Sequence, residues 1–245
     1  MARYQSIVDP LYRSGHYRPH STDGVDAPFK VGVAHDLLRH ADDVLSDPIE
    51  MVADIGCGSG EITKLLPDLF ASLGIDDVRV VGFDIHPGTS SLKADGVEFV
   101  AGDFCSEAKK TYDLITLFDI VEHVPDSIEF LKAVAEHARW LVLHLPLDDS
   151  WLVGVRDLAR EKIADLGHLL QLDTASALNL LALAGLRVVD YRHSPIFHAP
   201  SGKRTRSQRI LRPLRRVMFR VSPFVLQKTL GGVSLMVLAR SPRVK

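Results

Sequence analysis

The apolar residues of this chain fall into two rhythms. Nearly unbroken apolar runs at 51–55 (MVADI), 78–85 (VRVVGFDI), 97–102 (VEFVAG), 112–119 (YDLITLFD) and 140–146 (WLVLHLP) read as strands with both faces covered. Two more runs, 186–193 (LRVVDYRH) and 233–240 (VSLMVLAR), bring the set to seven. Between them, helical spacing marks 60–72, a short segment near 88–94, 126–138 and 174–184. Strands alternating with helices predict crossover connections and so an α/β fold. The expected sheet is doubly wound, mostly parallel and seven-stranded, with its last strand antiparallel.

Two segments stand outside this rhythm. Before the first strand, Val33, Leu37, Leu38, Ala41, Val44 and Leu45 predict one helix from Phe29 to Leu45, stopped by Asp47-Pro48 because the residue before a proline avoids helical geometry. Residues 194–228 form a basic insert in which Ile210, Leu211, Leu214, Val217, Met218 and Val221 share one helical face flanked by arginines, with Pro213 expected in a first turn. The domain reading is therefore a cap over 1–47, a core over 48–193 and 229–245, and the insert over 194–228.

The first strand runs into VADIGCGSGEITKLL (52–66), where Asp54 precedes glycines at 56, 58 and 60. A glycine-rich turn between strand and helix lets a ligand approach backbone N–H groups. The spacing is G-x-G-x-G, not the G-x-G-x-x-G of a dinucleotide site, since Glu61 follows Gly60. A carboxylate at Asp54 repels a pyrophosphate and suits a ligand carrying an ammonium and a sulfonium.

This D-x-G-x-G-x-G run resembles the first motif of the class I S-adenosylmethionine-dependent methyltransferases, a family with a Rossmann-like sheet. The segment LFDIVEHVPD and the stretch 167–190 are similar to the branch that contains the quinone and small-molecule methyltransferases. The resemblance implies that S-adenosylmethionine lies on Asp54, Gly56, Cys57, Gly58 and Gly60. It implies that Asp84, with Ile85 beside it, takes the ribose hydroxyls, and that Asp103 takes the adenine amine with Phe104 against the ring. It brings Phe118 and Asp119 to the same cofactor from the fourth strand.

Methyl transfer to a hydroxyl needs a proton acceptor, and His is the side chain best poised for it near neutrality. His144, a polar residue in an apolar run, leads as the expected base, with His123 and Glu122 beside it as catalytic candidates and His168 in the lid. A rival scheme places Mg²⁺ on the oxygens of Asp119, Glu122 and Asp148.

Composition narrows the setting. Hydrophobic residues are 46 % and charged residues 24 % of 245, with two cysteines, which fits a globular protein of a reducing cytoplasm. The net charge of −2 hides an asymmetry: after Asp190 there are 13 Lys or Arg and no acid. The insert, at 203–221, is thus expected to meet an anionic membrane or lipid, to pack as a lid, or to serve a second subunit in a homodimer. Nucleic acid is disfavoured, because aromatics do not interleave with the arginines. The aromatic and arginine side chains of LYRSGHYRPH (11–20) favour a saccharide or glycolipid precursor as acceptor, with a quinone or phenol second.

Overall fold

The computed structural model describes residues 24–108, 110–158, 167–200 and 206–242, without the Ser207 side chain. The expectations for LYRSGHYRPH fall outside the described residues. The seven expected strands are all present: β1 (Met51–Ile55), β2 (Arg79–Asp84), β3 (Val97–Ala101), β4 (Tyr112–Phe118), β5 (Ala138–Pro146), β6 (Arg187–Ser194) and β7 (Ser234–Arg240). They form one sheet in the order β3-β2-β1-β4-β5-β7-β6. β1 to β5 run parallel, and β7 pairs antiparallel with both β5 and β6.

The period-2 alternation along the strands feeds two separate cores. On one face Ala53, Ile55, Ile115, Leu117, Leu141 and Leu143 pack under α5 (Ser127–Ala135) and α7 (Thr174–Leu183), which contribute Leu131, Val134, Ala177 and Leu181. On the other face Val52, Val80, Leu114, Val142 and Leu238 meet α1 (Ala27–Leu38) and α3 (Leu66–Ser72), which contribute Ala34, Leu37, Leu38, Leu69 and Phe70. Both faces are dry, as the unbroken apolar runs require.

Several boundaries differ from expectation for local reasons. The helix expected over Phe29–Leu45 is interrupted: α1 ends at Leu38, and a single turn, α2 (Asp42–Leu45), follows. The helix expected from residue 60 begins as a tight turn over Thr63–Leu65, and α3 starts at Leu66 with Pro67 in its first turn, where no N–H is needed. Two short helices, α4 (Phe104–Glu107) and α6 (Trp151–Val155), follow β3 and β5. The insert folds as α8 (Arg206–Val221) and α9 (Pro223–Thr229). Pro213 lies inside α8 and not in its first turn. It is exposed, so water can serve the carbonyl that it leaves unpaired.

The order of the strands decides where a ligand goes. β2 and β4 flank β1, so the connections leave β1 in opposite directions along the sheet and open a crevice at the strands' carboxyl ends. Ile55–Gly60, Asp84, Asp103, Asp119–His123 and Asp148 all follow the carboxyl ends of parallel strands, on one edge of the sheet.

Candidate functional site

The turn after β1 is built from glycines in the left-handed region: Gly56 at φ 73°, Gly58 at 54° and Gly60 at 78°. They do different work. A Cβ on Gly56 would lie 2.2 Å from Cδ1 of Ile120, so this glycine lets the turn after β4 close against β1. A Cβ on Gly60 would strike the Phe99 ring. Around Gly58 nothing lies within 4 Å, so its bare backbone opens onto free space, as a ligand cradle requires.

Asp54 stands beneath this turn, nearly fully buried. Its two oxygens accept hydrogen bonds from Thr63 Oγ1 at 2.6 Å and Thr116 Oγ1 at 2.7 Å. Burial pushes its carboxyl up to about 6 against those two bonds. A raised carboxyl lends its stability fully below the ordinary aspartate value of about 4 and loses it as pH rises through about 6. The structure thus gives the Asp54 carboxylate to the two threonines, which lock the turn's base. Cys57 is buried beside it, and burial with Asp54 pushes its thiol up.

Asp84 sits at the rim. Its carboxylate accepts from the Gly58 N–H and the His86 N–H, both at 2.8 Å, so it joins the ends of β1 and β2. Ile85 beside it is 46 % exposed, an apolar surface unusual for a strand end. Asp103 caps α4, accepting from Cys105 N–H at 3.2 Å and Ser106 Oγ at 2.8 Å. Phe104 corrects an expectation. It is buried in the core, edge-to-face with Phe83 at 5.1 Å, because it faces inward from the first position of α4. Phe118 is likewise core, stacked on His144 at 6.1 Å.

Asp119, just past β4, adopts a left-handed φ of 52°, uncommon for a residue with a side chain. Its backbone N–H donates to His144 O at 3.1 Å, and its carboxylate bridges His144 Nδ1 and Lys30 Nζ, each at 2.5 Å. Burial pushes that carboxyl up, but His144 and Lys30 outweigh it and hold it well below the usual carboxylate range. Burial alone would lower Lys30, yet Asp119 and Asp26 raise it above its ordinary value. Sequence reasoning missed Lys30; the only trace was a lysine in an otherwise apolar helical face. Thr116, a lone hydroxyl inside an apolar strand, was a similar unread trace.

Two expectations are corrected here. His144 is 1 % exposed, in the middle of the sheet, with Nδ1 spent on Asp119. It braces the end of β4 and does not open onto the crevice, so it is not placed to take a substrate's proton. The oxygen set Asp119, Glu122 and Asp148 does not assemble either: Asp119 is occupied as described, and Asp148 Oδ2 holds His168 Nδ1 at 2.6 Å.

What does assemble is Glu122 with His123 and His168. Glu122 is 1 % exposed, and neither carboxylate oxygen has a hydrogen-bond partner among the described residues. Burial, with Asp119 and Asp148 adding to it, pushes this carboxyl well above the usual range. The Glu122 backbone carbonyl accepts from Leu169 N–H at 2.8 Å, which carries His168 onto the β4 turn. His123 Nδ1 meets Gly167 O at 3.1 Å. The two imidazoles meet edge to face, centroids 5.0 Å apart, and each Nε2 lies 3.9 Å from Glu122 Oε1. Burial and the neighbouring His168 lower His123 to about 4, so it is neutral at pH 7. His168 is oriented by the carboxylate of Asp148, which accepts from its Nδ1–H, so Nε2 turns toward Glu122.

Among known proteins, residues 33–199 match the family described as "Methyltransferase domain". The ubiquinone biosynthesis O-methyltransferase of Paraburkholderia xenovorans is 34 % identical over 94 residues, covering 37 % of this chain and 39 % of that protein. Its counterpart from Aliivibrio fischeri is 30 % identical over 95 residues, 35 % of this chain and 38 % of that protein. The chain thus aligns with about two fifths of those relatives' length. Among solved structures, a SAM-dependent methyltransferase from Archaeoglobus fulgidus superposes with TM-score 0.52 at 19 % identity, covering 86 % of this chain and 94 % of that one. Magnesium protoporphyrin IX methyltransferase from Synechocystis, with bound SAH, gives 0.51 at 18 %, covering 86 % and 81 %.

Proposed function

The chain belongs to the class I S-adenosylmethionine-dependent methyltransferases, and on that premise we propose that it methylates a hydroxyl of a small phenolic or quinone-type acceptor. The relatives' names support this acceptor class over the saccharide that the sequence put first. The observation that carries the reading is the placement of an open glycine turn and a Glu–His–His cluster on one edge of the sheet.

The residues present fit the cofactor. The open space above Gly58 admits it, Asp84 at the rim offers two oxygens to a vicinal diol, and exposed Ile85 offers an apolar surface to the adenine. When bound there, the cofactor supplies an electrophilic methyl group and a sulfur leaving group. The rest of the work belongs to the chain. Gly56 lets the β1 and β4 turns close on each other, which brings the two halves of the site together. Lys30, Asp119 and His144 lock the end of β4 and so fix where Glu122 and His123 stand. The acceptor hydroxyl comes to the Glu122–His123–His168 cluster, where it loses its proton and becomes a stronger nucleophile.

The test is an acceptor screen that follows release of S-adenosylhomocysteine. Catechol-type and polyhydroxybenzoate acceptors are expected to drive release well above the acceptor-free rate, while hexoses and their phosphates are not. Release driven by sugars and not by phenols contradicts the proposal.

A further inference from the structure

We propose that Glu122, His123 and His168 form a binding site for one divalent transition-metal ion of the Zn²⁺ or Mn²⁺ class. The inference rests on the reading above, since the ion would hold the acceptor hydroxyl, but its test stands apart from turnover. Three observations carry it. The ligand atoms of these residues all lie within 4.8 Å of one another. They would have to draw together to reach the roughly 2.0–2.2 Å of ordinary nitrogen and oxygen coordination to zinc. Both imidazoles are anchored through Nδ1, one on the Gly167 carbonyl and one on the Asp148 carboxylate, so both Nε2 atoms turn toward Glu122. This is the outer-shell arrangement that fixes tautomer and ring orientation in metal-bound histidines.

The third observation is the carboxylate itself. A nearly fully buried Glu with neither oxygen hydrogen-bonded is costly unless a cation or a proton satisfies it. At 3.9 Å the histidine nitrogens are too far to serve as donors. Two imidazoles and one carboxylate leave coordination positions open for substrate and suit Zn²⁺, Mn²⁺ or Fe²⁺ better than Mg²⁺, which favours an all-oxygen shell. In the open position the ion would bind the acceptor oxygen and lower its pKa; the O–H proton would pass to solvent, leaving the oxyanion on the metal.

The chelator-stripped full-length protein should be titrated with Zn²⁺, Mn²⁺ and Mg²⁺ by calorimetry, in the absence of cofactor. One equivalent of Zn²⁺ or Mn²⁺ should bind, at least tenfold tighter than Mg²⁺. Glu122→Gln and His168→Ala should each weaken binding at least tenfold, with circular dichroism melts confirming that they fold. Asp148→Asn, which alters the positioning of His168, should weaken it by a smaller factor. No uptake, or uptake unchanged in His168→Ala, overturns the site. If the ion binds but chelation leaves turnover intact, its catalytic part is overturned while the methyltransferase reading stands.

A different region supports a second inference: we propose that the outer face of α8 rests on an anionic bilayer. The helix is turned inside out for a packed lid. Ile210, Leu214, Val217 and Val221 lie one above another and are 50–82 % exposed, while Arg215 points inward and donates to Leu230 O at 2.7 Å. α9, which packs against both α8 and α6, exposes Phe224 and Val225, and α6 exposes Trp151 and Val155. Arg206, Arg216 and Arg220 border the stripe, all exposed. An apolar stripe edged by arginines, in a region with no acid after Asp190, matches a surface of acidic headgroups over acyl chains. A second copy of the chain would set arginines against arginines. Among the described residues no helix is long and apolar enough to cross a membrane, so the contact would lie in the interface.

Co-sedimentation of the full chain with phosphatidylcholine vesicles, with and without phosphatidylglycerol, is the test. Retention is expected on the anionic vesicles only, falling in high salt and at least tenfold in Leu214→Asp/Val217→Asp. Absence of retention, equal retention on neutral vesicles, or a concentration-dependent dimer that the double variant abolishes without vesicle binding would overturn it.

Discussion

Replacing His168 with alanine is expected to lower turnover by roughly 10²–10⁴-fold, the usual worth of a positioned group that helps deprotonate the acceptor, while leaving affinity for S-adenosylmethionine nearly unchanged. The split follows from position. His168 lies beyond β5, with Nδ1 on Asp148 and Nε2 beside Glu122, whereas the proposed cofactor cradle lies after β1 and β2. Asp148→Asn should lower turnover less, because the ring remains but loses the carboxylate that fixes its tautomer. His144→Ala should behave differently. It removes a buried partner of Asp119 at a left-handed backbone position, so its main effect should be a lower melting temperature. Kinetics with saturating cofactor, alongside melting curves, check all three. Full activity in His168→Ala would remove this residue from the chemistry.

The fold was legible because its signals are local and redundant. Each of the five parallel strands is an apolar run too short for a helix and too dry for a surface strand, and the glycines at 56, 58 and 60 mark where the first run must turn. The open turn at Gly58 was legible for the same reason: a left-handed backbone over open space leaves a glycine in the sequence. The chemistry was harder to read. His144 looked like a base because it is polar among apolar residues, but that pattern also describes a histidine whose partner lies on the neighbouring strand. Only the β4–β5 register, which sets Phe118 beside His144, brings Asp119 to it. His168 and Glu122 are 46 positions apart in number and are joined by the backbone bond from Leu169 to the Glu122 carbonyl, which no local pattern encodes. Lys30 reaches Asp119 across an even longer stretch of chain. In α8 four of the six residues expected on one face, Ile210, Leu214, Val217 and Val221, form the exposed stripe, while Met218 packs inward against the Phe197 and Leu226 cluster; spacing cannot say which face turns outward, and the buried Arg215 decides that.

The account depends most on the cofactor lying along the strand ends with its ribose on Asp84. Among the described residues the Asp84 oxygens accept hydrogen bonds from the Gly58 and His86 amides, both at the crevice rim, so a loss of affinity in its variant would arise there. Substitution by alanine removes a charged acceptor for two ribose hydroxyls and loosens the turn that presents Gly58. Hydrogen bonds to charged groups contribute about 1.5–3 kcal/mol, so affinity should fall roughly 10- to 150-fold. Calorimetric titration of S-adenosylmethionine into the wild-type protein and into Asp84→Ala measures this directly. A single saturable site in the wild type, weakened by that factor in a variant that melts normally, is the predicted result. Equal affinity in the two proteins would contradict the placement of the cofactor and with it the assignment of the site.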